Sequence, residues 1–323
     1  MFDIITIGDC TVDTFIVIDP EQGKLECDLN KDNCELCLNY ATKIPIKQAH
    51  QSIGGNAANV AAGCKKLGLE TALVSELGDD LNGFTIKHEI ESKGIDTKLI
   101  KILKNNETRY SVVLNYLAER TVLSSQVKRN YTLPKLPATN WIYYTSLLTP
   151  FAKLQDDLIK YLKKNPQTKL AVNPGSHQIK EDLKKFKEIL PYIEIIFLNK
   201  EEGKTITKES EINKIMKALH RLGCKKVVLT DGTKGAYFSD NTQSLQMLPY
   251  PIKPVDKTGA GDAFASGFLS AIFKDKTPSE AMQWGTANAG GVIQKIGAEE
   301  GLMSEKEIAR VIKKYSSIRP KIY

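Results

Sequence analysis

From Trp141 onward the chain alternates short β-branched and apolar runs with longer stretches of helical period. Strands are expected at 141–146, 169–173, 194–198 and 226–230, and helices at 151–164, 180–189 and 209–222. This alternation constrains the fold more than any other feature. Repeated strand–helix–strand units build a mostly parallel sheet with helices on both faces. The segments 235–239 and 244–248 read as an antiparallel edge hairpin, and helices over about 261–273, 278–294 and 304–316 complete the chain.

The amino-terminal half adds a buried strand over 4–7 that ends at Gly8. A small-residue helix over 56–66 follows, with Gly68 as its C-cap, then a strand over 71–75 and a helix over 82–93 stopped by Gly94. Three pieces do not fit a parallel sheet, at about 12–18, 40–50 and 109–131, and they are expected to form a β-sheet lid on one domain spanning 1–323. Within the last piece, 109–117 and 120–124 read as a hairpin turning near Ala118-Glu119. Residues 19–42 are polar and carry cysteines without a strong period, so they read as a loop excursion, followed by a short strand near 43–48.

The net charge is +7, yet pairs such as Lys184-Lys185 and Lys225-Lys226 are scattered. That describes a solvated basic surface suited to a small anionic substrate, not a nucleic-acid groove. Met1-Phe2-Asp3 leads straight into the first strand, without a basic and apolar leader. No apolar run approaches the roughly 20 residues a membrane span needs. The expectation is a cytoplasmic protein with neither a membrane nor a nucleic-acid partner.

Such a compartment keeps Cys10, Cys27, Cys34, Cys37, Cys64 and Cys224 reduced. Cys27, Cys34 and Cys37 with Cys10 or His50 would make a zinc site, but they offer one clear ligand pair where structural zinc sites show two. Reduced structural thiols are the expectation. His50, His88, His177 and His220 are scattered and form no catalytic pattern.

Residues 256–268 carry the chemistry: Asp-Lys-Thr-Gly-Ala-Gly-Asp-Ala-Phe-Ala-Ser-Gly-Phe. Gly259, Ala260 and Gly261 precede a helix beginning near Asp262. A helix start offers unpaired N–H groups, and glycines let a phosphate approach the backbone. A carboxylate beside such an anion hole is repulsive unless it takes a proton from an attacking hydroxyl. Asp262 would also serve as a plain helix N-cap, and Gly-Ala-Gly-Asp alone leaves both readings open. No Gly-Lys-Ser/Thr follows, which excludes a Walker A loop, and the glycines do not match the dinucleotide-binding spacing.

The run from Asp256 to Phe268 resembles the carboxyl-terminal signature of the ribokinase-like (PfkB) carbohydrate kinases. Gly54-Gly55-Asn56-Ala57-Ala58-Asn59-Val60-Ala61, followed by Leu67-Gly68, resembles that family's amino-terminal signature, and Gly78-Asp79-Asp80 with Gly83 follows as it does in the family. The resemblance covers essentially the whole chain. It implies a doubly wound α/β fold, a small β lid that often mediates a homodimer, and ATP-dependent phosphorylation of an alcohol group on a sugar.

The resemblance also implies roles. Asp262 is the base, with Gly259, Ala260 and Gly261 as the anion hole. Asp13, Thr11, Gly54, Gly55 and Asn59 meet the substrate. Asn199 and Glu202, in Asn199-Lys200-Glu201-Glu202, organise Mg²⁺; a capping box is the plainer reading of that pair. Thr230, Gly232 and Gly235 contact ATP phosphates or ribose, and Asn288 lies near the adenine or simply packs between helices. Asp256, Thr258 and Gly297 stand where many members hold a monovalent cation such as K⁺.

Asp9, Thr11 and Asn56 depart from the residues usual in the family, which leaves the acceptor open. A nucleoside kinase is the alternative, with Tyr110, Tyr116, Tyr131 and Tyr143 as candidate walls for a base. A catalytically inactive sugar or nucleotide sensor is the further one, opposed by the intact Gly-Ala-Gly-Asp. Arg109, Arg120 and Arg129 fall in the lid piece; an anionic substrate such as a sugar phosphate is one partner for them, and lid surface or a dimer contact is the expected one.

Overall fold

The computed structural model describes residues 1–28, 34–117 and 119–323. The chain opens with β1 (Phe2–Ile7), β2 (Thr11–Ile18), β3 (Gly23–Cys27), β4 (Cys34–Leu38) and β5 (Ile46–Gly54). Next come α1 (Asn56–Lys66), β6 (Thr71–Val74), β7 (Glu76–Gly78), α2 (Leu81–Ser92), β8 (Lys101–Leu103), β9 (Tyr110–Tyr116) and β10 (Glu119–Ser124). The alternating half follows as β11 (Thr139–Thr145), α3 (Ala152–Lys164), β12 (Lys169–Asn173), α4 (Gly175–Glu181), α5 (Leu183–Lys187) and β13 (Ile195–Asn199). It continues through α6 (Lys200–Thr207), α7 (Ile212–Arg221), β14 (Lys226–Thr230), β15 (Ala236–Ser239) and β16 (Ser244–Met247), and ends with α8 (Ala260–Phe273), α9 (Pro278–Val292), α10 (Glu305–Lys314) and β17 (Lys321–Ile322).

Nine strands form one sheet in the order β17-β16-β15-β14-β13-β12-β11-β1-β6. From β6 to β14 every pairing is parallel, and β15, β16 and β17 close the far edge antiparallel. The alternation of β1 shows how both faces are filled. Ile5 and Ile7 enter the core beneath α3 and α7, and Ile4 enters the core shared with α1 and α8. Strands buried on both faces read as near-continuous apolar runs, which is why this half of the sheet was legible. The chain order reverses at β1, flanked by β6 and β11, and open α/β sheets form their ligand crevice at such a reversal.

A second sheet, β10-β9-β2-β5, arches over the carboxyl ends of the parallel strands. β2 pairs with β9 parallel and with β5 antiparallel. β5 runs later and longer than the strand expected near 43–48, because its half facing solvent has no apolar alternation to mark it. Ala118, at the expected hairpin turn, lies outside the described residues. The strands end at Ser124, and residues 125–131 run as irregular chain into the body of the protein.

The 19–42 segment is not a plain loop excursion. Within it β3 and β4 form an antiparallel hairpin, and residues 29–33 between them lie outside the described residues. Cys27 sits opposite Cys34, with Cα atoms 4.0 Å apart, and the two form a disulfide. That corrects the expectation of reduced thiols at these two positions, because directly opposed strand residues bring two sulfurs within bonding reach. Cys37 faces Lys24 instead and stays free, as do Cys10, Cys64 and Cys224. Among the described residues no group of three or more His, Cys, Asp or Glu side chains is disposed to hold a metal.

The helix expected over 180–189 divides into α4 and α5, because Asp182 leaves helical geometry and caps α5 by accepting from the Lys185 amide at 2.9 Å. The helix expected over 209–222 begins at Ile212, and α6 precedes it. Among the described residues no helix is long and apolar enough to cross a membrane.

Candidate active site

Parallel strands deliver their carboxyl ends to one polar cavity of about 520 Å³. Asp9 follows β1, Ser146 follows β11, and Asn173, Asn199 and Thr230 end β12, β13 and β14. The lid roofs the cavity with Thr11 and Asp13 from β2, Ser111 from β9, and Arg120, Val122 and Ser124 from β10. A second cavity of about 590 Å³ is walled mainly by Met247, Tyr250, Pro251, Ile252, Ala289 and Ile293. The two share Thr230, Lys257, Ala260, Gly261 and Phe264, so the first turn of α8 stands at their junction.

Gly259 caps α8 in the left-handed region at φ 74°, where a Cβ would come 2.5 Å from that of Ala298. Gly261 meets nothing within 4 Å at its Cβ position, so its backbone is open to the cavity. The N–H groups of this first turn have no intrahelical acceptors and point to an anion at the junction.

Asp262 is the third residue of α8 and makes no cap bond; Gly259 occupies the N-cap. Geometry therefore removes the N-cap explanation for this carboxylate. It is buried, and its Oδ2 accepts from Asn59 Nδ2 at 2.8 Å. Burial pushes its pKa up to about 7, against the pull of the Asn59 bond and of Arg120. A carboxylate so tuned exchanges a proton near neutral pH, as a general base must.

Asp13 accepts from Thr11 Oγ1 at 2.7 Å, and burial raises its pKa too. Gly54 packs so tightly on it that a Cβ there would lie 2.1 Å from Asp13 Oδ2. Gly55, at φ 96°, passes equally close to the Asp9 carbonyl, 2.3 Å from its own Cβ position. Glycine is required at both for the backbone to pass this close, and of the two Gly55 lines the cavity.

Asn199 and Glu202 form a capping box on α6: Glu202 N–H donates to Asn199 Oδ1 at 2.8 Å, and Asn199 N–H donates to Glu202 Oε2 at 3.0 Å. Both still line the polar cavity, and burial raises the Glu202 carboxyl. Thr230, Gly232 and Gly235 line the apolar cavity. Asp256 is buried, accepting from Thr258 N–H at 3.0 Å, Thr258 Oγ1 at 2.7 Å and Gly297 N–H at 3.2 Å.

Asn288 is not brought to the cavity. It is fully buried; its Nδ2 donates to the Ala263 carbonyl at 2.9 Å and its Oδ1 accepts from Met303 N–H at 2.9 Å. These are bonds between packed segments, and Thr286, Ala289 and Gly290 around it line the apolar cavity.

Arg109 and Arg129 correct the expectation of surface or dimer contacts, whereas Arg120 is exposed on the lid as expected and lines the mouth of the polar cavity. Arg109 Nη1 lies 3.2 Å from Asp9 Oδ2, and its Nη2 donates to Ser124 Oγ at 3.2 Å. Arg120 Nη1 donates to Thr258 Oγ1 at 2.7 Å, and both arginines line the polar cavity. Arg129 is buried past the hairpin and donates to the Glu107 carbonyl at 2.7 Å.

The tyrosines proposed as a wall lie elsewhere. Tyr131 donates from the core to Asp9, 2.7 Å from Oδ1, and Tyr143 is fully buried. Tyr116 donates to the Gly23 carbonyl at 2.6 Å, and Tyr110 donates to Thr14 Oγ1 at 2.8 Å. Asp9 is thus held by Tyr131, Arg109 and the Leu148 amide, while burial raises its pKa. Sequence reasoning missed Ser146 and Asn173. The rule that ligands gather at the carboxyl ends of parallel strands could have found both.

Residues 23–305 match the pfkB family carbohydrate kinases. A curated relative, a ribokinase of Haemophilus influenzae, is 28% identical over 277 residues, covering 79% of this chain and 85% of its own length. Two solved structures share the fold. The Methanocaldococcus jannaschii nucleoside kinase has a TM-score of 0.76 at 20% identity, covering 97% of this chain and 99% of its own. The Arabidopsis thaliana ribokinase complexed with ribose and ATP has a TM-score of 0.78 at 20% identity, again covering 97% and 99%.

Proposed function

This chain belongs to the pfkB family of carbohydrate kinases, and from that premise we propose that it transfers the γ-phosphoryl group of ATP to a hydroxyl of a small sugar, with Asp262 as the base. The family and its relatives make it an ATP-dependent kinase of a carbohydrate or nucleoside. The observation that carries the finer reading is Asp262 itself: buried, bonded to Asn59, and one residue beyond an open glycine at the junction of a polar and an apolar cavity.

In this reading the adenine occupies the apolar cavity and the triphosphate reaches the first turn of α8 past Thr230, Gly232 and Gly235. The acceptor lies in the polar cavity, its hydroxyls held by Asp13, Thr11 and Asn59 over the backbone of Gly54 and Gly55. Asp262 takes the proton of the attacking hydroxyl as its oxygen bonds to the γ-phosphorus. The bond from that phosphorus to the β–γ bridging oxygen breaks, and ADP leaves with the electron pair. The N–H groups of Gly261 and Asp262, with the cavity shaped by Gly259 and Ala260, face the charge on the transferring group.

The residues present fit Mg²⁺. Among the described residues Glu202 Oε1 is met only by Ser176 Oγ at 3.5 Å, and one carboxylate beside Asn199 suits an ion that keeps most of its waters. When bound, Mg²⁺ neutralises phosphate charge. A monovalent cation such as K⁺ fits beside Asp256, Thr258 and Gly297, since the buried Asp256 carboxylate meets N–H and O–H donors but no Lys or Arg among the described residues.

A sugar is favoured over a nucleoside because the acceptor end is lined by Asp9, Thr11, Asp13, Ser111 and Ser124, and the candidate tyrosine wall points elsewhere. ATP as co-substrate accords with a cytoplasmic location. Leu117, Leu123 and Ile46 on the lid are about half-exposed, and we infer a homodimer through that sheet, measurable as twice the chain mass by light scattering. The function is tested by an ADP-release screen over sugars, sugar phosphates and nucleosides with Mg²⁺, with and without K⁺. Turnover on a sugar is expected. Turnover on nucleosides alone overturns the sugar reading, and none on any acceptor favours a binding protein.

A further inference from the structure

The lid carries a positive charge that the reading above does not use. At the start of β10, Glu119 accepts from Lys257 Nζ at 2.8 Å and Arg120 donates to Thr258 Oγ1 at 2.7 Å. Lys257 and Thr258 are consecutive and lead directly into Gly259, so lid and phosphoryl loop are joined at two adjacent residues on each side. The Thr258 hydroxyl has a fixed sense: it donates to Asp256 Oδ1 at 2.7 Å and so must accept from Arg120. A chain of donors thus runs from the lid through Thr258 to the buried Asp256.

Arg120 makes no close ion pair in this arrangement, and its charge acts at longer range on the Asp262 and Asp13 carboxyls, against the upward push of burial on both. Its partner is a neutral hydroxyl, and among the described residues no carboxylate comes within ion-pair distance of it. A guanidinium has five N–H donors in a planar fork; here one meets Thr258, and the exposed remainder face solvent at the cavity that Arg120 lines, free to turn to an anion there. Arg109, by contrast, is spent on Asp9 and Ser124 at the acceptor end. A lid that only needed fastening would be served by the Glu119–Lys257 pair. An unpaired arginine beside an anion loop is the arrangement that meets phosphoryl oxygens.

We propose that Arg120 is a catalytic residue: the closed lid sets its guanidinium on the oxygens of the phosphoryl group in transit, opposite the N–H groups of Gly261 and Asp262. This rests on the kinase reading. Arg120 exchanges no proton; it stays charged and faces the negative charge of the transferring group, and the bonds made and broken are those already given. Lid closure then becomes a condition for fast transfer, because the charge arrives with β10.

The test is Arg120→Gln, which keeps a donor for Thr258 but removes the charge, beside Arg120→Lys, which keeps the charge. With the acceptor identified by the screen, Arg120→Gln should lose roughly 10²–10³-fold in kcat, the usual worth of a preorganised transition-state donor. KM for ATP and acceptor should stay within about threefold, thermal melting should not change, and Arg120→Lys should recover part of kcat. Glu119→Gln breaks only an exposed ion pair and should change kcat by less than about fivefold. Wild-type kcat in Arg120→Gln, a rise in acceptor KM alone, or an equal loss in Glu119→Gln would each overturn the proposal. A wild-type chain that turns over no acceptor overturns the kinase reading itself, whereas a wild-type chain that works while Arg120→Gln works equally well overturns this inference alone.

Discussion

Replacing Asn59 by Ala should move the pH dependence of turnover more than its ceiling. The Asn59 amide donates to Asp262 Oδ2 at 2.8 Å inside a buried site, and it stabilises the charged form of that carboxyl. A hydrogen bond to a charged group is worth about 1.5–3 kcal/mol. At about 1.4 kcal/mol per pKa unit, its loss raises the Asp262 pKa by roughly 1–2 units. Starting from about 7, the acid limb of kcat/KM should move to roughly pH 8–9. At pH 7 the ionised fraction then falls from about half to roughly 1–10%, a loss of about 5- to 50-fold that closes as pH approaches 9. The assay is ADP release at limiting acceptor across about pH 6 to 9, comparing variant with wild type on the same substrates so that substrate ionisation cancels. A uniform loss at every pH, or a limb that moves to lower pH, refutes this electrostatic reasoning and leaves Asn59 a packing or binding role.

Other outcomes follow from the same geometry. Gly261→Ala should melt like wild type, because its Cβ meets nothing within 4 Å, yet lose turnover because the methyl stands where the phosphoryl group comes; Gly259→Ala, at φ 74° and 2.5 Å from the Ala298 Cβ, should lower the melting temperature as well. Gly54→Ala pushes a methyl into Asp13 Oδ2 and should raise acceptor KM about tenfold or more while ATP affinity, read by calorimetry, holds. The raised pKa of Asp262 also has a stability sign. The folded chain binds more protons than the unfolded one between the ordinary value of 3.8 and about 7, so stability falls as pH rises through that window. Asp262→Asn should therefore melt higher than wild type at pH 8, with the gain shrinking toward pH 5; a gain that grows as pH falls would contradict the assigned burial.

The parts of the site legible in the sequence are those whose residues are neighbours along the chain. Gly259 to Asp262 and Gly54 to Asn59 each announce themselves as a loop opening a helix, and Asn199 to Glu202 falls at a strand end. Tyr131 and Arg109 were misplaced because their meaning comes from Asp9, far away in sequence, and the Thr258 partner of the exposed Arg120 was equally out of view. Asn288 was ambiguous because one amide suits a ligand and a helix interface equally, and only the position of Met303 decides. The doubly wound sheet was readable because its strands are buried on both faces. The β3–β4 hairpin was not, because its strands are largely exposed and carry no apolar alternation, and the pairing of Cys27 with Cys34 follows from a register that composition does not encode.

The central claim is that Asp262 takes the acceptor proton, and Asp262→Asn tests it most directly. The variant keeps the size of the side chain and a partner for Asn59 but cannot accept a proton from the hydroxyl. Single-turnover phosphoryl transfer should fall roughly 10²–10⁴-fold, while ATP binding, followed by calorimetry on the same preparation, stays within a few-fold of wild type. Transfer at near wild-type rate in that variant, with ATP bound normally, would contradict the account.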